Sequence, residues 1–255
     1  MSKLSKDDRF LDLSDYGRSP AKIIARSVQN TQITPIHITL LFGLSGLLAI
    51  YFMLKERYIL SALFLLLKSI LDAADGELSR IKNTPSHSGR YLDSIFDIIL
   101  NLMIFLSISF ITESGLVITL LAFLCVQFQG TLYNSYYVIL RNKRKGGDGT
   151  SRIFESKAPR AFPNESQKTV NVYFTIFYSL YSFFDKGIYL LDRGAPKVRS
   201  LPTWFMTIVS VYGLGFQLLI IGIMLSLGLI TYIIPFFIGY SILLFLFTQI
   251  RINLL

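Results

Sequence analysis

The 255-residue sequence holds one cysteine, one tryptophan and two histidines, and only 16% of its residues are charged. A lone Cys125 excludes a disulfide within the chain and any metal centre built on cysteines. So low a charged fraction, against about 25% in ordinary soluble domains, argues against a soluble globule. Disorder is excluded as well, because 52% of the chain is apolar. The 25 Lys and Arg outnumber the 16 Asp and Glu, but they are bunched between long stretches without charge. A nucleic-acid surface interleaves basic, polar and aromatic residues, so no nucleic-acid partner is expected.

What is present is long apolar runs. A bilayer core about 30 Å thick needs roughly 20 apolar helical residues. Runs of that size cover residues 34–54, 91–111, 115–140, 201–225 and 229–248. A sixth, 58–78, opens equally apolar but then carries Lys68, Asp72, Asp75 and Glu77. That run is either a core helix or a span with chemistry in it. The pattern predicts an all-α, polytopic membrane protein with six transmembrane helices and membrane lipids around it. Residues 1–33 lack the apolar core and cleavage site of a signal peptide and read as a cytoplasmic or interfacial N-terminal arm. Residues 34–255 then form one six-span domain, with no internal repeat.

The Lys and Arg distribution tests this plan. With six spans, twenty-two of these residues fall on one side, two (Lys55 and Arg57) on the other, and Lys68 within a span. Both termini and the loop between the second and third spans should therefore be cytoplasmic. The connection 141–200 contains a solvated basic turn and then an aromatic-rich stretch, 172–191, long enough to span. Spanning would break the alternation, so an extra cytoplasmic or interfacial helix is expected between spans 4 and 5.

Ionisable groups inside membrane spans are functional hypotheses by default. Here they are ordered: Asp72, Asp75, Gly76, Ser79 and Arg80 lie on the second span, and Gly89, Asp93 and Asp97 repeat at i, i+4, i+8 on the third. A tight turn joins the two, so antiparallel helices would aim the stripes at each other near the cytoplasmic end. Four converging carboxylates repel unless cations neutralise them, and oxygen-only ligands favour a hard divalent ion, Mg²⁺ or Mn²⁺, with Ca²⁺ as an alternative. Gly76 and Gly89 remove side chains beside the carboxylates, and Arg80 suits a phosphate oxygen. Together these features describe a pyrophosphate site with a metal pair.

The string matches seven of the eight specified positions of Asp-x2-Asp-Gly-x2-Ala-Arg-x8-Gly-x3-Asp-x3-Asp, with Ser79 in place of Ala. In this it resembles the signature of the CDP-alcohol phosphatidyltransferases, and the six-span plan extends the likeness over most of the chain. The resemblance implies an enzyme that cleaves the pyrophosphate of a CDP-linked lipid or alcohol, passes the phosphoryl-bearing group to a hydroxyl acceptor and releases CMP. It implies Asp72, Asp75 and Asp93 as metal ligands, and Asp97 as a ligand near a second Mg²⁺ or Mn²⁺ and as the general base. Gly76, Ser79, Arg80 and Gly89 would line the CDP pocket. The segment Thr34-Pro-Ile-His-Ile-Thr39 is similar to the family's Thr-Pro-Asn-x-Ile-Thr, with Ile36 replacing Asn, and leaves Thr39 to face the nucleotide. CDP-diacylglycerol is the expected donor, and a homodimer is implied by the resemblance alone.

Other readings remain open at this level. A CDP-choline or CDP-ethanolamine phosphotransferase, a metal-dependent lipid pyrophosphatase and a cation- or proton-coupled transporter share parts of the pattern. Transport needs polar groups continuing across the membrane, whereas the outer halves of these spans are nearly all apolar. Lys68 reads either as a partner of Asp72 or a phosphate, or as a snorkelling or interhelical lysine. Asn101 continues the Asp93–Asp97 stripe, and Gln127, Thr131 and Asn134 share a face at i, i+4, i+7. Either set lines an acceptor pocket or forms interhelical hydrogen bonds, the commoner case. Arg141 to Lys145 read as a topology signal and anionic-lipid contact, with a contact to an acceptor phosphate as the alternative for Arg141, and the aromatic residues of 172–191 read as interface anchors.

Overall fold

The computed structural model describes residues 9–142, 155–198 and 201–254, and every regular element among them is helical. Lys3, Lys6, Arg152, Arg199 and the basic turn beyond Asn142 lie outside the described residues. The helices are α1 (Arg18–Val28), α2 (Pro35–Leu54), α3 (Tyr58–Ile81), α4 (His87–Thr112), α5 (Leu116–Asn142), α6 (Gln167–Leu191), α7 (Thr203–Val209), α8 (Leu214–Ser226), α9 (Ile230–Tyr240) and α10 (Ile242–Leu254). Among the described residues, four stretches are long and apolar enough to cross a membrane: α2, α4, α5, and α9 continued by α10. The stretch from α7 through Tyr212, taken with α8, makes a fifth, bent by 50°. The 24 residues of α3 suffice in length, but Lys68, Asp72, Asp75 and Glu77 interrupt its apolar run.

Local chemistry sets the helix starts around the polar end of the bundle. At the head of α2 the Thr34 side chain accepts from the His37 N–H while His37 Nδ1 accepts from the Thr34 N–H, with Pro35 in the first turn. This reciprocal cap accounts for Thr34, Pro35 and His37 together. The turn from α3 to α4 passes through Asn83 at φ 54°, a left-handed conformation that Asn tolerates. Ser86 then caps α4, its Oγ accepting from the Gly89 N–H at 2.8 Å.

Packing leaves a gap where the two carboxylate stripes meet. α2 lies along both α3 and α4, whereas α3 and α4 make little backbone contact with each other. Gly43 and Gly46 on α2 admit Phe96 and Leu100 of α4 at close range. α8 closes on the other side of α3, with Gly222 against Ala62. Phe42, Met53, Leu65, Ile104, Phe105, Leu218 and Phe237 fill a common apolar core away from the α3–α4 turn. The turn end of the bundle is left to polar side chains.

Three segments wrap that end. Ala21 and Ala25 of α1 pack on Ala74 and Leu78 of α3. Before α1, the 3₁₀ turn Leu13–Asp15 sits in the elbow between α7 and α8: the Leu13 N–H donates to Ser210 Oγ at 2.9 Å, and Ser14 lies against Gly213 and Gly215. The arm predicted to be interfacial or cytoplasmic is thus, from Asp12 to Val28, packed on the bundle. α6 begins beside the start of α4, where Glu165 accepts from the His87 N–H. It ends at Asp192, which accepts from Tyr136 near the end of α5 and from Arg251 near the end of α10. Because α4 and α5 are packed hairpin neighbours, both ends of α6 lie at one end of that pair.

Candidate active site

A cavity of about 1260 Å³ opens between α2, α3, α4, α5, α6 and α8 and reaches the N-terminal arm. Thr39, Asp72, Asp75, Gly76, Ser79, Arg80, Gly89, Asp93 and Asp97 all line it, so every site residue expected from the sequence faces one space. Helical spacing on α3 and α4 brings the acidic stripes to opposite walls. Asp72, Asp75 and Asp93 each present an oxygen within 4.8 Å of the others. Thr39 Oγ1 donates to Asp75 Oδ2 at 2.6 Å, and Asp93 Oδ1 is buried without a hydrogen-bond partner among the described residues. An orphaned carboxylate oxygen beside two further carboxylates is the donor set a hard divalent cation takes, so the residues fit Mg²⁺ or Mn²⁺.

Asp97 stands apart from these three. Its Oδ1 accepts from Lys68 Nζ at 2.6 Å, and Lys68 is completely buried, with Nζ 5.0 Å from the centre of the Phe42 ring. The lysine is therefore interhelical, and its partner is Asp97 rather than Asp72 one turn away. Arg80 Nη2 donates to Glu77 at 2.7 Å. A Cβ at Gly76 would meet only the Arg80 guanidinium, which leaves that stretch of wall open. At Gly89 the close neighbour is the capping Ser86. Ser79 donates its hydroxyl to the Thr84 carbonyl at 2.9 Å, so it braces the α3–α4 turn while lining the cavity.

Sequence reasoning missed the contributions of α6 and of the segment before it. Phe177, Tyr181 and Asp185 occupy one helical face at i, i+4, i+8 and line the cavity, and Tyr181 donates to the Ser94 carbonyl at 2.8 Å. Asp185 is the one acid of this aromatic helix, but its spacing does not single out the face that meets the cavity. Burial, with Glu155 nearby, pushes Asp185 up to about 6. Glu155 accepts from Arg90 and from Tyr91, each at 2.7 Å. Glu165 accepts from the Ser86 and Ser88 hydroxyls and from the His87 and Ser88 N–H groups at the start of α4. Burial alone would raise the Glu165 carboxyl, but the donors from Ser88, Ser86 and the backbone outweigh it and hold the group at about 2.

Asn101, Gln127, Thr131 and Asn134 also line the cavity. The two histidines serve structure: His37 caps α2, and His87 stacks on Phe162 with ring centroids 4.5 Å apart.

Residues 32–230 match the family model described as CDP-alcohol phosphatidyltransferase. Among characterised proteins, an archaetidylinositol phosphate synthase of Pyrococcus horikoshii is 34% identical over 80 residues. That match covers 31% of this chain, which spans 43% of the relative's length.

Proposed function

The chain belongs to the CDP-alcohol phosphatidyltransferase family, and from that membership and the carboxylate cavity we propose that it transfers a phosphatidyl group from CDP-diacylglycerol to a hydroxyl acceptor, releasing CMP. The single observation that carries the reading is the convergence of Asp72, Asp75 and Asp93 across the gap between α3 and α4, with Asp97 lining the same cavity. The relative's name, a synthase of a lipid phosphate, supports a lipid product.

Asp72, Asp75 and Asp93 would hold Mg²⁺ or Mn²⁺, with Asp97 contributing to a second ion. Bound there, such ions supply Lewis-acid polarisation of the phosphoryl oxygens and neutralise the charge gathering on CMP. The protein's own groups do the rest. Gly76 leaves room for the CDP moiety, and Thr39 fixes Asp75. Arg80 turns from Glu77 to a phosphate oxygen, one charge-assisted bond replacing another. Asp97, held by Lys68 at Oδ1, takes the proton of the acceptor hydroxyl. The acceptor oxygen then bonds to the phosphorus distal to cytidine, and the bond from that phosphorus to the bridging oxygen breaks to release CMP.

In the membrane, α2, α3, α4, α5, the bent α7–α8 pair and α9–α10 make six spans, with α6 lying in the interface. The Lys and Arg bias supports a cytoplasmic active site, and the two ends of α6 at one end of the bundle support its interfacial position.

The test is CMP release by purified protein with Mg²⁺ or Mn²⁺ and CDP-diacylglycerol, with and without hydroxyl acceptors. Acceptor-dependent release, lost in Asp93→Ala, is expected, and Asp97→Asn should abolish turnover while sparing donor binding. Release without an acceptor would make the protein a pyrophosphatase. Release only from CDP-choline or CDP-ethanolamine with diacylglycerol would reverse the roles of the lipid and the alcohol. No release from any donor would point to transport.

A further inference from the structure

Two amides of the bundle interior are fully employed in holding helices together. Gln129 Nε2 donates to the Phe237 carbonyl at 3.0 Å and to Ser241 Oγ at 2.8 Å. Gln217 Nε2 donates to Gln129 Oε1 at 3.1 Å and to the Val126 carbonyl at 3.2 Å. Gln127 is two residues from Gln129, about 200° around α5, and so faces the opposite way. It is 7% exposed, lines the cavity, and its Nε2 has no hydrogen-bond partner among the described residues. Thr131, one turn on at 6% exposure, and Asn101 of α4 at 7%, line the same cavity, and neither side chain bonds to another described residue. Of the two sequence readings of this polar set, interhelical bonding is the one not found among the described residues.

Buried amide and hydroxyl groups without partners are costly, the more so at membrane depth, and are retained where something polar meets them. Asn101 lies one turn beyond Asp97 on the same face of α4, so this recess adjoins the proposed base. All three side chains are neutral, and each amide or hydroxyl both donates and accepts. That set matches hydroxyl groups, which do the same. It offers neither a carboxylate for an ammonium group nor a cation for an acid. Resting on the transferase reading above, we propose that Asn101, Gln127 and Thr131 form the acceptor subsite and select a polyol, one hydroxyl placed at Asp97 and its neighbours held by these side chains.

The test pairs direct binding with kinetics on the full chain in lipid nanodiscs. Radiolabelled glycerol, inositol and serine are the binding probes, and CMP release supplies KM for donor and acceptor separately. The uncharged polyols should bind and serine should not. Gln127→Leu and the isosteric Thr131→Val should each weaken polyol binding and raise acceptor KM about tenfold, the worth of one hydrogen bond, with donor KM unchanged. Serine as the preferred ligand, no polyol binding to the wild type, or a change confined to donor KM would overturn the proposal. Unchanged polyol binding in both variants, with folding verified by thermal midpoint, would do the same. Polyol binding that both variants lose, in a protein that releases no CMP from any donor, would uphold the recess while refuting the transferase reading.

Discussion

At the residue scale the pairing of Lys68 with Asp97 governs the chemistry proposed here. A completely buried ammonium group needs a partner, and Asp97 supplies it from 29 residues away in sequence. The same bond fixes the carboxylate's orientation toward the cavity. Lys68→Met should leave Asp97 free to turn, lowering kcat about 100-fold or more with donor KM little changed, since a displaced general base forfeits roughly that much. Equal loss of donor affinity would show instead that the lysine helps hold the donor. Lys68→Arg should not restore activity, because Lys68 is completely buried against Phe42 and a larger guanidinium would have to displace packed neighbours there. The aspartates themselves were legible, because their spacing on two helices is a property of sequence alone. Lys68 was only half legible: helical spacing offered Asp72 as its neighbour, and only the juxtaposition of α3 and α4 reveals Asp97.

At the element scale the segment leading into α6 acts as a clamp on the start of α4. Glu165 fills the positive end of that helix, accepting from two N–H groups and two hydroxyls. Its carboxyl sits at about 2, below the unfolded value of about 4.3. A depressed carboxyl contributes stability that is complete above the unfolded value and is lost as pH falls toward the folded one. Wild type should therefore exceed Glu165→Gln in thermal midpoint at neutral pH, with the gap narrowing from about pH 4.3 toward pH 2. A gap that stayed constant over this range would assign the effect to something other than the charge. The N-terminal turn is a second such element. A Cβ at Gly215 would run into the Ser14 backbone, so Gly215→Ala should push the arm out of the elbow. Trypsin cleavage near Arg18, resisted by wild type, and a loss of about 1–3 kcal/mol in stability are expected. Neither contact was legible beforehand. Serine and glycine repeat widely in the chain, and α6 is aromatic around much of its circumference, so only packing identifies Phe177, Tyr181 and Asp185 as its cavity face. The bend at Gly213 escaped hydropathy for a similar reason, since the run 201–225 is apolar on both sides of the break.

At the scale of the whole molecule, an apolar bundle holds several acids around a cavity that its helices keep open. α2 wedges between α3 and α4, so the carboxylates cannot relieve their repulsion by moving into a packed interface. Coulomb repulsion in so shielded a place must be met by bound cations or by protonation. Cation binding to the folded state alone then stabilises it by mass action, by about 2.7 kcal/mol at a concentration a hundred times Kd. For a chain of this size that corresponds to a rise of about 5–10 °C in thermal midpoint. Mn²⁺ or Mg²⁺ added to chelator-treated protein should produce such a rise, and EDTA should reverse it. Asp93→Asn should behave oppositely in both respects. Removing one negative charge from the group raises the midpoint of the metal-free protein, and removing a ligand from the triad abolishes the response to added metal. A variant that kept the full metal response would place the ion away from Asp72, Asp75 and Asp93. A wild type indifferent to both metal and chelator would mean that protons, and not divalent cations, balance the charge in the cavity.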